Sequence, residues 1–319
     1  MRSIRTSRVA NMNLASTVSA IRQRHLAFAL LLATSVTVFW TPLRTIAGLS
    51  WSDDRYSHLL LIPMISAFLL YFQRPRMFSQ PTDRHGAAFS LLLGAATVYA
   101  LSALTPLGAS DRLAGMILSA VLVWAGTFAL CYGTAVLKVA AFPLGFLAFM
   151  IPVPESVLNW ISHALQSASA DTSAVLFHAI GMPSFRHGFR FQLPGLEIEI
   201  ANECSGIRST TALVLVSVLA GYIFLRSPSR RICFALAAIP IGIFKNAVRI
   251  VALSYLGVYV DRAYLEGSLH HKYGGLVFSS LSMLLVIPLI VLLRKSEARS
   301  KRPREGVGPS LPATDKIGS

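Results

Sequence analysis

The chain has 319 residues, of which 54% are hydrophobic and only 13% are charged. Because a soluble globular domain carries about 25% charged residues, this composition excludes an ordinary soluble enzyme and favours an all-α polytopic membrane protein. The net charge of +15 collects in short loops and tails, which indicates membrane topology rather than nucleic-acid binding.

Apolar runs near the length of a membrane-spanning helix recur along the whole chain. They predict eight transmembrane helices, at about 26–43, 57–72, 87–105, 113–132, 138–152, 205–225, 232–258 and 273–293. The second and fifth are short, which is typical of tilted or partly re-entrant segments. The first has no small-residue cleavage site after it, so we expect a membrane anchor rather than a signal peptide.

The distribution of Lys and Arg orients these helices. In the eight-helix arrangement, nineteen basic residues share the side of the N-terminus and seven lie on the opposite side. The positive-inside rule therefore places both termini in the cytoplasm. The membrane that we expect is the plasma (inner) membrane. We expect a basic cytoplasmic segment at 1–25, a membrane domain at 26–293, and a disordered basic cytoplasmic tail at 294–319.

The long connection at 153–204 is predicted to lie outside the cytoplasm. In its first part, Val157, Leu158, Ile161 and Leu165 follow helical spacing, which predicts an amphipathic helix at the outer membrane boundary. We expect Gly181 and Pro183 to end that helix. Its second part alternates apolar and polar residues on both sides of a Pro-Gly pair, which predicts a small β-hairpin over 189–200.

Polar residues, two of them charged, interrupt the seventh predicted span, where Lys245, Asn246 and Arg249 stand in an apolar run. Such residues are costly in a membrane and usually mark function or an internal pair. At 1.5 Å per residue, Arg249 lies about 26 Å along the span, near its outer end. There it could snorkel to the outer headgroups, but we favour a functional role because of the other groups at the same depth. For Lys245, function and snorkelling to the outer headgroups remain open alternatives.

Three consecutive predicted helices present chemically active groups at the same outer depth. Cys204 precedes the sixth span, Arg249 ends the seventh, and His270 and His271 precede the eighth. A thiolate activated by a histidine is a strong nucleophile, and an arginine can stabilise the oxyanion of a tetrahedral intermediate. This combination indicates acyl transfer at an amide.

A metal site is the rival interpretation of the outer histidines. No two histidines have the i, i+4 spacing of a helical metal motif, and the three cysteines of the chain are not clustered. The sequence therefore predicts neither a metal nor a cofactor. A metal-dependent membrane protease stays an alternative, with candidate ligands His58, His163, His178 and His187.

Four segments resemble motifs of the exosortase/archaeosortase family, over about residues 50–290. They are "WSDDRYSHLLLIPMISAFLLY" (51–71), "NECSGIRS" (202–209), "KNAVRI" (245–250) and "HHKYGGLVF" (270–278). The resemblance implies a membrane-embedded cysteine transpeptidase. Its substrates would be exported proteins with a C-terminal sorting signal, made of a short motif such as Pro-Glu-Pro, a membrane helix and a basic tail.

The resemblance also implies residue roles and partners. Cys204 matches the nucleophile and Arg249 matches the family's arginine. His270 is the preferred general base because Gly274 and Phe278 follow it at the family's spacing of four and eight; His271 is the alternative. Cleavage near the outer boundary would pass the acyl group to an amine, polysaccharide or lipid acceptor of unknown identity, and many family members accompany exopolysaccharide production.

Supporting roles are open for three further residues: Arg208, Lys245 and Asn246. Arg208 lies about one helical turn beyond Cys204 and either lowers the pKa of the thiol or snorkels. A second class of function stays open as well, a non-enzymatic transporter or scaffold for exopolysaccharide export. In that case Lys245 and Arg249 would line an anion path, and Cys204 would be incidental.

Overall fold

The computed structural model describes residues 2–77, 85–201, 205–261 and 274–300. Within them the chain is mostly helical. It divides into two compact units, Met1–Trp160 and Ile161–Ser319.

Four helices of the described residues are long and apolar enough to cross a membrane. They are α4 (Gly86–Leu104), α5 (Ala109–Tyr132), α9 (Ile207–Phe224) and α10 (Pro228–Tyr259). Two bent helix pairs, Ile21–Val38 with Trp40–Ser52 and Ala141–Met150 with Glu155–Ala179, raise the number to six if each pair counts as one span. The described residues thus do not reach the predicted count of eight.

A sharp bend interrupts the first predicted span. Helix α1 (Arg2–Val38) and helix α2 (Trp40–Ser52) meet at Phe39, and the bend between Ile21–Val38 and α2 is 74°. Pro42 accounts for it, because proline has no amide hydrogen to donate to the carbonyl four residues earlier, and its ring clashes with that carbonyl. That carbonyl belongs to Val38, the last residue of α1.

The fifth predicted span is broken in the same way. Two short helices, α6 (Thr134–Val139) and α7 (Ala141–Phe146), are followed by a 3₁₀ turn over Leu147–Met150. Pro143 lies four residues after Val139, so it cannot continue α6. Helix α3 (Leu61–Met77) packs against α7, where the Ser66 hydroxyl donates to the Pro143 carbonyl at 2.7 Å.

The first unit is built around the antiparallel pair α4 and α5. Their backbones approach closely at Gly126, where an added Cβ would lie 2.9 Å from the Leu92 side chain. Small residues at helix crossings permit such approach in membranes. Helix α1 also packs on α5, where the Trp124 indole donates to the Ser35 hydroxyl at 2.9 Å.

Helix α8 (Glu155–Ala179) supplies one side of the core of the second unit. It ends in a Schellman motif, in which Gly181 has a φ of +69° and the Met182 amide donates to the Phe177 carbonyl at 3.0 Å. Leu158 and Leu165 of the predicted apolar face are buried, but Val157 is 44% exposed.

A three-stranded antiparallel sheet follows α8, where the sequence predicts a two-stranded hairpin. Its strands are β1 (Phe185–His187), β2 (Arg190–Leu193) and β3 (Leu196–Glu199). Strand β2 pairs with both neighbours, and Leu193 faces Leu196 across the turn at Gly195, whose φ is +68°. Buried residues of the sheet pack with α8 and α10 in one apolar core.

Helices α9 and α10 form a helical hairpin, and α11 (Gly274–Ser300) packs on both. The Glu297 carboxylate, 7% exposed, accepts hydrogen bonds from the Ser227 amide at 2.6 Å and the Arg226 amide at 3.1 Å. Helix α11 continues to Ser300, seven residues beyond the predicted end of the membrane domain at 293.

Candidate active site

The predicted site residues divide into two groups. Cys204, His270 and His271 lie outside the described residues. Arg208 is exposed in the first turn of α9, and Lys245, Asn246 and Arg249 lie on α10.

The segment that follows Cys204 leads directly into α9. Ser205 is 1% exposed, and its hydroxyl accepts a hydrogen bond from the Ile207 amide at 3.4 Å. Gly206 caps α9 with a φ of +78°, a left-handed conformation that favours glycine. In the chain, Cys204 thus stands three residues before Ile207, where the positive end of a helix dipole favours negative charge.

Lys245 is buried inside the second unit, with 3% of its surface exposed. Its ammonium donates a hydrogen bond to the Ser209 hydroxyl on α9, and that hydroxyl donates to the Gly206 carbonyl at 3.0 Å. The ammonium is therefore drawn toward the start of α9, rather than extended along the surface as snorkelling requires. Arg249, one helical turn further along α10, is half-buried.

Asn246 packs directly against Gly206. A Cβ added to Gly206 would lie 2.9 Å from Cγ and 3.1 Å from Oδ1 of Asn246. The amide of Asn246 also donates to the Ser169 hydroxyl of α8 at 3.1 Å, and both residues are almost wholly buried. Because Asn246 stands three residues before Arg249, this contact lies about 4.5 Å along α10 from the arginine.

A second close approach holds α9 against α10. A Cβ added to Gly242 would lie 2.6 Å from Oγ1 of Thr210. Gly242 is one helical turn before Asn246. The two helices are therefore in tight contact on both sides of Lys245, which fixes the height at which its ammonium meets α9.

Sequence reasoning missed two polar residues of α8 that face this region. The Gln166 amide donates to the Ile200 carbonyl, and Ser169 accepts from Asn246. The signal was present in the spacing of four buried polar residues on one helical face, namely Ser162, Gln166, Ser169 and Ser173. The prediction for this helix used only its apolar face.

Among the described residues, no group of three or more His, Cys, Asp and Glu side chains is arranged to hold a metal ion. Of the candidate ligands, His163 makes an edge-on contact with Phe189, with ring centroids 5.3 Å apart. His58 lies in the turn before α3.

A comparison with protein families places these motifs in one family. Residues 50–287 match the family model described as Transmembrane exosortase (Exosortase_EpsH), which covers more than half of the chain and includes Cys204, Arg249 and both candidate histidines. No curated protein and no solved structure matches the chain. With its apolar helices and this match, the chain is an integral membrane protein that belongs to the transmembrane exosortase family.

Proposed function

We propose that this exosortase is a cysteine transpeptidase that cleaves membrane-anchored proteins at the outer membrane boundary. Cys204 is the nucleophile, Arg249 stabilises the oxyanion, and His270 is the general base, with His271 as the alternative. Lys245 and Asn246 support the cysteine segment from α10, and Arg208 lies at the exposed start of α9.

One observation carries the proposal. Gly206, two residues after Cys204, touches Asn246, three residues before Arg249. The cysteine motif and the arginine motif, which are about forty residues apart in the chain, therefore meet at one level of the α9–α10 pair. This contact supports a shared site for a thiol and a guanidinium, which suit acyl transfer as nucleophile and oxyanion donor.

The mechanism follows from these groups. His270 takes the proton of the Cys204 thiol, and the thiolate sulfur bonds to the carbonyl carbon of the scissile amide. Arg249 binds the oxyanion of the tetrahedral intermediate. The C–N bond then breaks, and His270 returns the proton to the leaving amine. An amine acceptor attacks the resulting thioester and releases the thiol; water in its place gives hydrolysis.

The substrate and topology complete the proposal. The substrate is an exported protein whose sorting signal combines a short motif, one membrane helix and a basic tail. Both termini of the enzyme are cytoplasmic, eight spans cross the plasma membrane, and the 153–204 connection is extracytoplasmic. Nineteen basic residues on one side against seven on the other support this orientation. The basic segments 1–25 and 294–319 flank the membrane domain, and the acceptor is an amine, polysaccharide or lipid.

The rival function, a transporter or scaffold for exopolysaccharide export, requires Lys245 and Arg249 to line a solvated path. Lys245 is 3% exposed and hydrogen-bonded to Ser209. A buried ammonium in such a contact favours a local structural or electrostatic role over passage of anions.

Replacing Cys204 by alanine tests the proposed function. In cells that export a protein with the sorting signal, Cys204→Ala should leave that protein full-length on an immunoblot. Cys131 in α5 and the exposed Cys233 in α10 supply matched controls, since Cys131→Ala and Cys233→Ala should process the substrate normally. Normal processing by a well-expressed Cys204→Ala variant would remove the thiol from the reaction.

A further inference from the structure

Two buried anchor points enclose the cysteine segment 202–204 in the sequence. Ile200, on its N-terminal side, is 2% exposed, and Ser205, on its C-terminal side, is 1% exposed. The chain between two buried residues depends for its position on the contacts that fix those residues.

Both backbone groups of Ile200 are held. Its amide donates to the Phe189 carbonyl at 3.0 Å, and its carbonyl accepts from the amide of Gln166. Gln166 is 8% exposed, so its hydrogen bond is shielded from competing water. The N-terminal anchor of the cysteine segment is therefore tied to α8.

The C-terminal anchor reaches α8 through one intermediate. The backbone of Gly206 rests on the amide group of Asn246, and that amide donates to the hydroxyl of Ser169. Ser169 is wholly buried and Asn246 is 1% exposed. The Asn246 side chain thus has little freedom to move, and Gly206 meets a fixed surface.

The two tethers start from neighbouring points of one helix. Gln166 and Ser169 are three residues apart and share a face of α8. Buried polar side chains weaken a protein unless they are hydrogen-bonded. Here the bond of Gln166 leads to Ile200, before the cysteine. The bond of Ser169 leads through Asn246 to Gly206, after it. Ser173, one turn further on the same face, donates its hydrogen bond within α8, to the Ser169 carbonyl at 2.7 Å.

We propose that α8 positions the nucleophile segment, with Gln166 and the Ser169–Asn246 pair as positioning residues. This inference rests on the proposed function in taking Cys204 as the nucleophile. Neither Gln166 nor Ser169 takes part in the chemistry. They set the place from which the thiol attacks, by fixing the chain on both sides of it.

The test uses Gln166→Met and Ser169→Ala, which remove the tethers with little change of volume. Ser173→Ala is the matched control, because it deletes an equally buried hydroxyl whose bond stays inside α8. The full chain carries Cys131→Ser and Cys233→Ser, so that Cys204 is the single thiol, and is studied in lipid nanodiscs. Readouts are kcat and KM for a sorting-signal substrate and the pH dependence of Cys204 alkylation by iodoacetamide.

A displacement near 1 Å costs about 100-fold in rate, so we expect kcat to fall about 10-fold in each tether variant and about 100-fold in the double variant. KM should stay unchanged. The midpoint of the alkylation profile should move toward that of a free thiol, about pH 8.5. Ser173→Ala should match the parent protein. A parental kcat and midpoint in both tether variants, or equal losses in Ser173→Ala, would overturn the proposal.

Alkylation separates this proposal from the proposed function, because it requires no substrate. If Cys204→Ala processed substrate normally, the transpeptidase assignment would fail. A midpoint that shifts in Gln166→Met and Ser169→Ala, but not in Ser173→Ala, would still support positioning by α8. If Cys204→Ala is inactive and no midpoint or kcat shifts, positioning fails and the transpeptidase assignment stands.

Discussion

The two units of the protein use buried polar groups differently. In the first unit they are isolated neutral contacts between apolar helices, such as Ser66 with the Pro143 carbonyl and Trp124 with Ser35. In the second unit several of them, among them Ser205, Thr210 and Asn246, lie around the start of α9 together with a buried ammonium, that of Lys245.

This difference supports the second unit as the location of the proposed chemistry. An interhelical hydrogen bond in a membrane protein contributes about 0.6 kcal/mol on average, which suits a role in helix packing. A buried charge opposes folding, so packing alone does not account for Lys245. Its neighbours Asn246 and Gly206 belong to the arginine and cysteine motifs. We therefore expect the proposed catalysis in the second unit.

Among the substitutions that test the difference between the two units, Arg249→Ala should cause the largest loss of kcat. Loss of an oxyanion donor lowers kcat by about 10²–10³-fold. Kinetics with a sorting-signal substrate would measure it. Arg190→Ala is the control in the same unit, because its ion pair with Glu199 is exposed on both sides and contributes little. A parental kcat in Arg249→Ala would contradict the assigned role.

Gly206→Ala should impair both stability and activity. A left-handed conformation costs a non-glycine residue about 1–2 kcal/mol, and the new Cβ would also press on Asn246. Gly188→Ala is the matched control, since Gly188 has a φ of +64° but open space around it. Thermal unfolding should show a lower Tm in both variants, and kcat should fall only in Gly206→Ala. Equal kcat values in the two variants would show that the contact between residue 206 and Asn246 does not affect catalysis.

Substitutions at two other glycines, one in each unit, compare the importance of helix packing for activity in the two units. Gly242→Ala would overpack α9 against α10, and Gly126→Ala would overpack α4 against α5. Each should lower the free energy of unfolding by about 1–3 kcal/mol. We expect kcat per folded molecule to fall in Gly242→Ala and to stay at the parental value in Gly126→Ala. The reverse pattern would place the chemistry in the first unit.

The smallest effect is expected at Glu297, beyond the predicted membrane end at 293. Hydrogen bonds from the Ser227 and Arg226 amides hold its pKa below the ordinary value. The stability that this carboxylate contributes is present above the ordinary Glu pKa of about 4.3, and is lost as the pH falls through the lowered native pKa.

Glu297→Gln should therefore lower the Tm slightly at pH 7, and the difference from the parent protein should vanish in acid. Thermal unfolding across pH would measure it. Glu199→Gln, at an exposed ion pair, is the control and should change little. Equal Tm values of the parent protein and Glu297→Gln at pH 7 would show that the contact between α11 and the α9–α10 connection is not stabilising.

Long apolar runs made much of the helical structure predictable. Helices α4, α5, α9 and α10 lie within a few residues of their predicted spans. The breaks at Phe39 and Ala140 follow from Pro42 and Pro143, but hydropathy alone does not register a missing amide donor. The sequence also did not predict strand β1, because the strand is only three residues long and shows too little alternation of apolar and polar residues.

The candidate site was predictable in part, through residues with distinctive chemistry. Lys245, Asn246 and Arg249 stand out because polar residues are rare in a membrane helix. Gln166 and Ser169 stand out less, since their local signal is a polar stripe shared with Ser162 and Ser173 on a helix that is predicted to lie outside the membrane. Their importance depends on tertiary contacts with Ile200 and Asn246, which no local pattern encodes.

The central claim is that Cys204 forms a thioester with the cleaved substrate. The purified protein would be mixed with a sorting-signal substrate, quenched in acid and digested, and the peptide that contains Cys204 examined by mass spectrometry. We predict an acyl adduct on Cys204 that hydroxylamine removes and that is absent from Cys204→Ala. Substrate cleavage with no adduct on Cys204, and at the same rate in Cys204→Ala, would contradict the account.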